Sequence, residues 1–573
     1  MIEARNREKL RDIAWQVVVI LLASSSIGIL VGLISSLFVQ GVKFLTQLRS
    51  ESSDFLAFSF GFNLSIAPML YLICAAFLLI GLRSLFGVTR WHGPADSIYS
   101  AHRVDNNLDL KQGFAATIAA FVSISGGAPV GQYGPLVHFG ATIGAGIQKF
   151  SRSHRIGVDV FIGCGVAAAI SAGFHAPIAG IIFAHEVVLR HFSFRAVTPI
   201  AIASITGEWF ASSIFGGSPM FALEAEKPDL LPMIFPLLLS GLVFGAVAIL
   251  FMKALMNSAR IATASHIKPA YLIFGAAATC GFIGMFVPAI LGTGTEEIKI
   301  IIQEDYSMSF LVLIFLLKLL LTSLAIGWGL FGGVFSPAVF IGASAGGIVA
   351  KLLTFFGLTV VPHLFPIAGF AAVTAAVVGA PISLVIIVLE LTQSYEFAVA
   401  AMVAAVVSTF LTSLVFGHSL FDAQLAGRSI DLSQGRGSIQ LNALSIVTIV
   451  SGNFVSLSPE LRVDEAIKAM AQANSSEGYC VGADGSLLGK ANLQKLILED
   501  DDRLLTECVE RNPLSINEDA SVLQAIEIAS GFIGESIPVL EPKSRKILGV
   551  VSEADIFEAY LGTQKKANDL EHN

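Results

Sequence analysis

Long apolar runs alternate with short breaks rich in Gly and Pro along the first three quarters of the chain. After the charged residues between Met1 and Arg11, an apolar stretch runs from about Ile13 to Phe44. At 1.5 Å per residue it would be roughly 45–50 Å long, so the pattern predicts a tilted membrane helix. Further apolar segments occupy residues 66–87, 113–124, 160–173, 177–190, 197–215, 232–256, 268–290, 308–328, 337–355, 366–378, 381–392 and 396–416. Several fall short of the ~20 residues a spanning helix needs. Short segments that end at Gly-Pro or Ala-Pro persist at membrane depth only when protein buries them or they face a wet cavity. The small-residue runs Ala167–Ala169, Gly342–Gly347 and Ala400–Ala405 permit the close helix contact that such burial requires. A bundle made only of full-length spans would leave the short pieces unexplained.

The apolar region also repeats itself about 204 residues apart. Gly165-Val-Ala-Ala-Ala, Ala176-Pro177 and Glu186 return as Gly369-Phe-Ala-Ala-Val, Ala380-Pro381 and Glu390. Upstream of each copy, Gly131-Gln-Tyr-Gly-Pro135 is matched by Gly333-Val-Phe-Ser-Pro337. Two related halves with Gly- and Pro-broken segments place a ligand site where the breaks meet. A half-helix that begins inside the bilayer presents free N–H groups and roughly half a positive charge. The pattern predicts an anion site.

Near Arg428 the chain changes character. Ser433-Gln-Gly-Arg-Gly437 reads as a polar linker, and the remainder as a soluble α/β region that is itself duplicated. Val463-Asp-Glu-Ala-Ile467 is echoed by Val522-Leu-Gln-Ala-Ile526, and Leu488-Gly489 by Leu548-Gly549, a period of about 60. Neither unit alone would bury a full core, so the two are expected to pack as a pair. The expected domains are a cytoplasmic segment 1–12, a transmembrane domain 13–427 with halves at roughly 13–215 and 232–416, and a linker 428–446. Modules follow at 447–502 and 503–563, then a polar tail 564–573.

Composition supports the membrane assignment. Hydrophobic residues make up 54% and charged residues 14%, with a mean hydropathy of +0.75, against roughly 25% charged residues in ordinary soluble domains. Without a basic stripe interleaved with aromatics, nucleic acid is not an expected partner. Cys74, Cys164, Cys280, Cys480 and Cys508 form no CxxC pair and read as apolar fillers or free thiols. The basic start suggests a cytoplasmic N-terminus. His185-Glu186 and His191 lack the four-residue histidine spacing of a zinc protease, and no nucleophile–base pair stands out, so an enzyme is not expected.

The motifs Gly131-Gln-Tyr-Gly-Pro135 and Gly333-Val-Phe-Ser-Pro337, with the Ala-Pro/Glu repeat, resemble the CLC family of chloride channels and proton–chloride exchangers over residues 13 to about 425. The C-terminal repeat resembles a pair of CBS modules. The resemblance implies a polytopic α-helical membrane protein with an inverted repeat of broken helices and a cytoplasmic CBS pair. It further implies a homodimer in the lipid bilayer, bacterial inner membrane by expectation, with one anion pathway per subunit and chloride as bound substrate.

It implies three converging loops. The first, His92-Gly93-Pro94-Ala95-Asp96, matches a family segment whose serine donates to the central anion. His92 stands in for that serine, either as a donor or turned away as a loop cap; Pro94 suits a first helical turn. In the second loop the family has a glutamate that plugs the external site and takes up protons. This chain has Tyr133 there, between Gln132 and Gly134. A tyrosine, with a reference pKa of about 10, costs roughly 4 kcal/mol to ionise at pH 7 and carries no proton readily through a cycle. Its hydroxyl could donate to an anion, its ring could narrow the pore, or it could be purely structural. In the third loop Val334 and Phe335 match residues whose backbone N–H groups line the central site. Phe421 takes the place of a tyrosine donor and offers only a ring edge.

Val187 occupies the position of the exchangers' internal proton glutamate, as in passive members of the family. Glu186 and Glu390, repeated between halves, are expected to serve helix ends or packing, and His138 and His175 to be packed or interfacial. In the CBS pair, Ser552 and Asp555 are candidate contacts to an adenine nucleotide; Asn492 and Lys495 replace them in the first module. No cofactor is otherwise required. The leading expectation is passive, channel-like anion transport. The alternatives are a proton-coupled antiporter that uses other groups, and a non-conducting sensor that reads a nucleotide.

Overall fold

The computed structural model describes residues 2–55, 57–59, 63–103, 106–151, 157–216, 229–303, 306–358, 360–361, 363–428, 430–432 and 435–572. The chain divides into two units, one of residues 1–101 and 105–430 and the other of residues 102–104 and 431–573. Among its described residues the first is helical apart from turns, short connections and two short antiparallel strands at 57–59 and 63–65. Its helices are α1 (Ile2–Phe55), α2 (Ala67–Phe86), α3 (Pro94–His102), α4 (Leu110–Ser125), α5 (Tyr133–Ser151), α6 (Val158–Phe174) and α7 (Pro177–Phe183). There follow α8 (Phe194–Phe215), α9 (Ile234–Ala264), α10 (Pro269–Phe286), α11 (Thr295–Ile302) and α12 (Met308–Gly327). The last are α13 (Phe335–Phe355), α14 (Leu364–Val378), α15 (Pro381–Thr392), α16 (Tyr395–Val415) and α17 (Leu420–Ala426). Seven described helical stretches are long and apolar enough to cross a membrane, and α4, α6, α7, α14 and α15 are apolar but short. The chain is an integral, multi-pass membrane protein.

Two expected segments carry helix. From Ile2 the charged segment and the apolar stretch after it form one helix, α1, because neither Pro nor Gly interrupts the chain before Gly28. The expected linker 428–446 contains a helix at Gly435–Ala443.

The sequence repeat is a structural one. Helices α5 and α6 pack together as α13 and α14 do, and the small residues sit at the crossing points. A Cβ on Gly140 would collide with the backbone of Gly165, and one on Gly342 with that of Gly369. The chain then breaks identically in both halves: Ala176 (φ −133°, ψ 76°) precedes α7 and Ala380 (φ −133°, ψ 58°) precedes α15. Pro177 and Pro381 occupy first-turn positions, where a missing N–H costs nothing. The two halves exchange carboxylates across these breaks. Glu186 accepts the N–H groups of Ile382 (2.9 Å) and Ser383 (2.8 Å) at the start of α15. Glu390 accepts those of Ile178 (3.0 Å) and Ala179 (2.8 Å) at the start of α7. Each half thus closes the N-terminus of the other half's short helix.

The second unit holds two three-stranded sheets of one design. In the first, 456–457 pairs parallel to 477–481, which pairs antiparallel to 487–492. In the second, 516–517, 537–540 and 547–551 repeat that order. A shared cluster of Tyr479, Leu487, Leu540 and Val550 joins the modules. Polar groups cross the seam both ways: Glu477 accepts Ser536 N–H (3.0 Å), and Glu535 accepts Ser476 N–H (3.2 Å). Lys490 lies 2.8 Å from Glu477 and donates to the Ser536 carbonyl at 2.8 Å. Burial holds the Tyr479 phenol neutral above its usual range. The expected polar tail continues a closing helix from Glu553 to His572.

Candidate anion site

The loops that open α5 and α13 are tied back to back by reciprocal backbone bonds, Gly131 N–H to Gly333 O (2.7 Å) and Gly333 N–H to Gly131 O (2.6 Å). A Cβ on Gly134 would lie 2.9 Å from the Gly333 Cα, so glycine is required for this approach. Thr322 anchors the first loop through the Pro129 carbonyl (2.7 Å), and Ser123 accepts the Phe331 N–H ahead of the second (3.0 Å). Two helix N-termini are therefore fixed side by side, and α3, beginning at Pro94, contributes a third.

They surround a cavity of about 400 Å³ whose walls include Gly93, Tyr133, Gly134, Val334, Phe335 and Phe421. The unpaired N–H groups of each first turn have no partner inside their own helix, and an anion is the natural occupant of such a concavity.

Tyr133 is a fixed part of the wall rather than a free side chain. Its ring stacks on Phe174 (centroids 3.7 Å apart, 24°) and meets Phe335 edge-on at 5.6 Å. Phe174 and Phe335 lie 5.0 Å apart, so the three rings form one aromatic cluster at the cavity. The Tyr133 hydroxyl donates to the Gly173 carbonyl at 3.3 Å. Gln132 beside it is buried. Phe421 is held by a capping box in which Ser419 N–H donates to Asp422 (3.0 Å) and Ser419 Oγ accepts Asp422 N–H (3.3 Å); Asp422 also pairs with Arg190.

His92 is half-buried and stands between two residues of the cavity wall. The residues on either side of it, Trp91 and Gly93, line the cavity, whereas its ring lies 6.0 Å from that of His138. His138 is buried with Nδ1 bonded to Ser97 (2.8 Å). The mouth carries groups that the sequence reading did not single out. Asp96 receives Arg90 at 2.6 Å, Arg428 at 2.8 Å and the Gly93 N–H at 2.9 Å. Two guanidinium groups on one carboxylate leave a net positive charge at this wall, which favours anion entry.

Val187 lines a second cavity of about 470 Å³, together with Glu186, Arg190, His418, Ser419 and Asp422. Val378 belongs to both cavities. In the second unit, Ser552 and Asp555 bond to each other (Oγ to Oδ2, 2.6 Å) and cap the closing helix. Asn492 does the equivalent work one module earlier, accepting Gln494 N–H at 3.0 Å.

Comparison with known proteins gives the same outline. The profile described as "Voltage gated chloride channel" matches residues 74–413, and that of the CBS domain matches residues 505–562. The H(+)/Cl(-) exchange transporter ClcA of Vibrio vulnificus is 26% identical over 430 residues, covering 72% of this chain and 90% of that protein. ClcA of Salmonella typhimurium is 25% identical over 451 residues, covering 74% and 93%. Among solved structures, a slow cyanobacterial Cl-/H+ antiporter superposes with a TM-score of 0.65 at 20% identity, covering 72% of this chain and 98% of its own. A eukaryotic CLC transporter gives 0.62 at 20% identity, covering 94% and 98%. At that identity the likeness speaks for the fold.

Proposed function

From the premise that the chain belongs to the voltage gated chloride channel family, an anion-transporting family with a C-terminal CBS region in this member, we propose that it conducts an inorganic anion passively, without proton coupling. Chloride is the expected substrate. The observation that carries the reading is the state of Tyr133: where the family pattern has a titratable carboxylate, this chain has a phenol bonded to a carbonyl and packed between two phenylalanines. A neutral phenol neither competes with chloride as an anion nor delivers a proton at neutral pH. Val187, in the second cavity, supplies no acceptor on the other side.

In this reading the anion enters past Arg90 and Arg428, sits against the amide ends of α5 and α13, and passes Tyr133 as the narrowest point. With Phe421 in place of a hydroxyl donor, binding in this reading depends on backbone N–H groups and the helix dipoles. The functional assembly is a homodimer with a pathway in each subunit, the CBS pair and both termini being cytoplasmic. Ser552 and Asp555 remain candidate nucleotide contacts, since exchanging their mutual bond for a ligand's is a local change. The test is simultaneous recording of chloride and proton movement from liposomes containing the full chain. Chloride efflux with no proton displacement is expected. Proton uptake driven uphill by a chloride gradient would overturn the proposal in favour of a coupled antiporter.

A further inference from the structure

The loops tied together at Gly131 and Gly333 repeat one motif, and at its fourth place Gly134, the second residue of α5, is matched by Ser336, the second residue of α13. Ser336 is 5% exposed, and its Oγ has no hydrogen-bond partner among the described residues. Other buried hydroxyls of this unit bond back to the carbonyl four residues earlier, as Thr142 does to His138 (2.7 Å), Ser323 to Leu319 (2.7 Å) and Thr374 to Phe370 (2.7 Å). Ser336 makes no such bond. Pro337 after it has no N–H to offer its oxygen, and the Gly333 carbonyl already accepts the Gly131 N–H (2.7 Å). Among the described residues, Ser336 is the one buried hydroxyl without a partner that stands in the first turn of a helix.

The hydroxyl has a direction. A Cβ on Gly131 would lie 2.9 Å from Ser336 N and 3.0 Å from Ser336 Oγ, so amide and hydroxyl both face the bare Cα of Gly131. The Ser336 N–H belongs to the first turn of α13, where no carbonyl of its own helix reaches it. The Gly333 carbonyl, 2.9 Å from the same point, is engaged by Gly131. In the mirrored place a Cβ on Gly333 would lie 2.7 Å from Gly134 N, and glycine adds no side-chain donor there. Glycine at 131 thus leaves open a small concavity at the positive end of a 21-residue helix. Neither Ser336 nor Gly131 is among the walls of the 400 Å³ cavity, so the concavity is a separate place on the same two loops.

We propose that Ser336 is an anion-binding residue that gives its hydroxyl and its amide together to the permeating anion at this second station. The proposal rests on the reading of the chain as an anion conductor. A buried hydroxyl without a partner costs free energy, and a monovalent inorganic anion supplies the missing acceptor with a full charge. Both donors belong to one residue, so they stand in fixed relation and need little ordering when the ion arrives. The hydroxyl also offsets what the cavity lacks, since Phe421 has no O–H and the Tyr133 proton is given to Gly173.

The experiment is unfolding of the detergent-purified full chain at increasing chloride, with gluconate holding the ionic strength constant. An ion that binds only the folded chain stabilises it as its concentration passes the dissociation constant. The parent should be stabilised by chloride, and Ser336→Ala should need roughly three- to tenfold more chloride for the same shift, the loss of one hydrogen bond to a charged group with water taking part of its place. Ser336→Cys, a weaker donor of similar size, should fall between them. In gluconate alone Ser336→Ala should unfold at the parent's midpoint or above it, because the hydroxyl it loses has no partner in the protein. In liposomes the half-saturating chloride for efflux should move by the same factor. A lower midpoint in gluconate with unchanged chloride dependence would make the hydroxyl structural and overturn the proposal. Equal chloride dependence in the parent and Ser336→Ala, or a parent that chloride does not stabilise, overturns it too. Liposomes that pass no chloride, together with a chloride dependence that Ser336→Ala weakens, would overturn the conduction reading and leave the station standing.

Discussion

Replacing Glu186 with Ala separates a helix-capping role from a proton-carrying one. The carboxylate accepts the Ile382 N–H at 2.9 Å, the Ser383 N–H at 2.8 Å and the Ser383 hydroxyl at 2.5 Å. Hydrogen bonds to a charged group are worth about 1.5–3 kcal/mol each, and removal of an N-cap typically costs about 0.5–2 kcal/mol. Because water reaches the partly exposed end of α15, the bonds are not lost in full; the expected net destabilisation is about 2–4 kcal/mol. Glu390→Ala, which loses two bonds at 3.0 and 2.8 Å, should cost slightly less. Glu186→Gln keeps an acceptor without the charge and should fall about halfway. The assay is denaturant unfolding of the detergent-purified full chain, paired with liposome efflux per folded protein. Capping predicts a lower unfolding midpoint for Glu186→Ala with unchanged pH dependence of flux. An unchanged midpoint with abolished flux would refute the cap and place Glu186 in the transport chemistry.

Other expectations follow from single contacts. Tyr133→Phe keeps every ring contact and loses only the 3.3 Å bond to Gly173, so a gain in chloride efflux of about two- to fivefold is expected, from about 0.5–1 kcal/mol; a fall in efflux would mean that the hydroxyl serves the anion directly. Arg428→Gln removes one of two guanidinium groups on Asp96, and efflux should drop several-fold at low ionic strength with the deficit shrinking as salt rises. A deficit independent of salt would point to altered packing instead. Lys490→Met strands the buried Glu477 carboxylate between the CBS modules and should destabilise the second unit by about 3–5 kcal/mol. Faster proteolysis within residues 431–573 would register this, and parental resistance would contradict it.

The breaks were legible because Gly and Pro punctuate apolar sequence wherever the backbone must turn inside a membrane. The short helices before and after Pro177 and Pro381 fell where the apolar runs stop, and the internal repeat pointed to the pairing of Gly131 with Gly333. Helix α5 was harder to read, since its Gly, Thr and His residues dilute the apolar signal although nearly all of them are buried. Around Pro94 the sequence places a helix start, yet a shift of one position decides whether Trp91 or His92 faces the cavity, and no pattern of residue types fixes that register. Arg428 stands where composition changes, at the start of the expected linker; its bond to Asp96 spans 332 positions and leaves no local trace. His175 did carry a usable signal. The repeat aligns it with Gly379, and both adopt left-handed backbone, at φ 55° and φ 78°. A histidine at a position where the other half uses glycine points to a side chain with a partner.

Anomalous diffraction from crystals of the full chain grown in bromide tests the convergence of the helix ends most directly. The account predicts a bromide peak in the cavity bounded by Val334, Phe335 and Phe421, within hydrogen-bonding reach of the first amides of α13. Bromide bound only outside that cavity, in a preparation that still conducts anions, would contradict it.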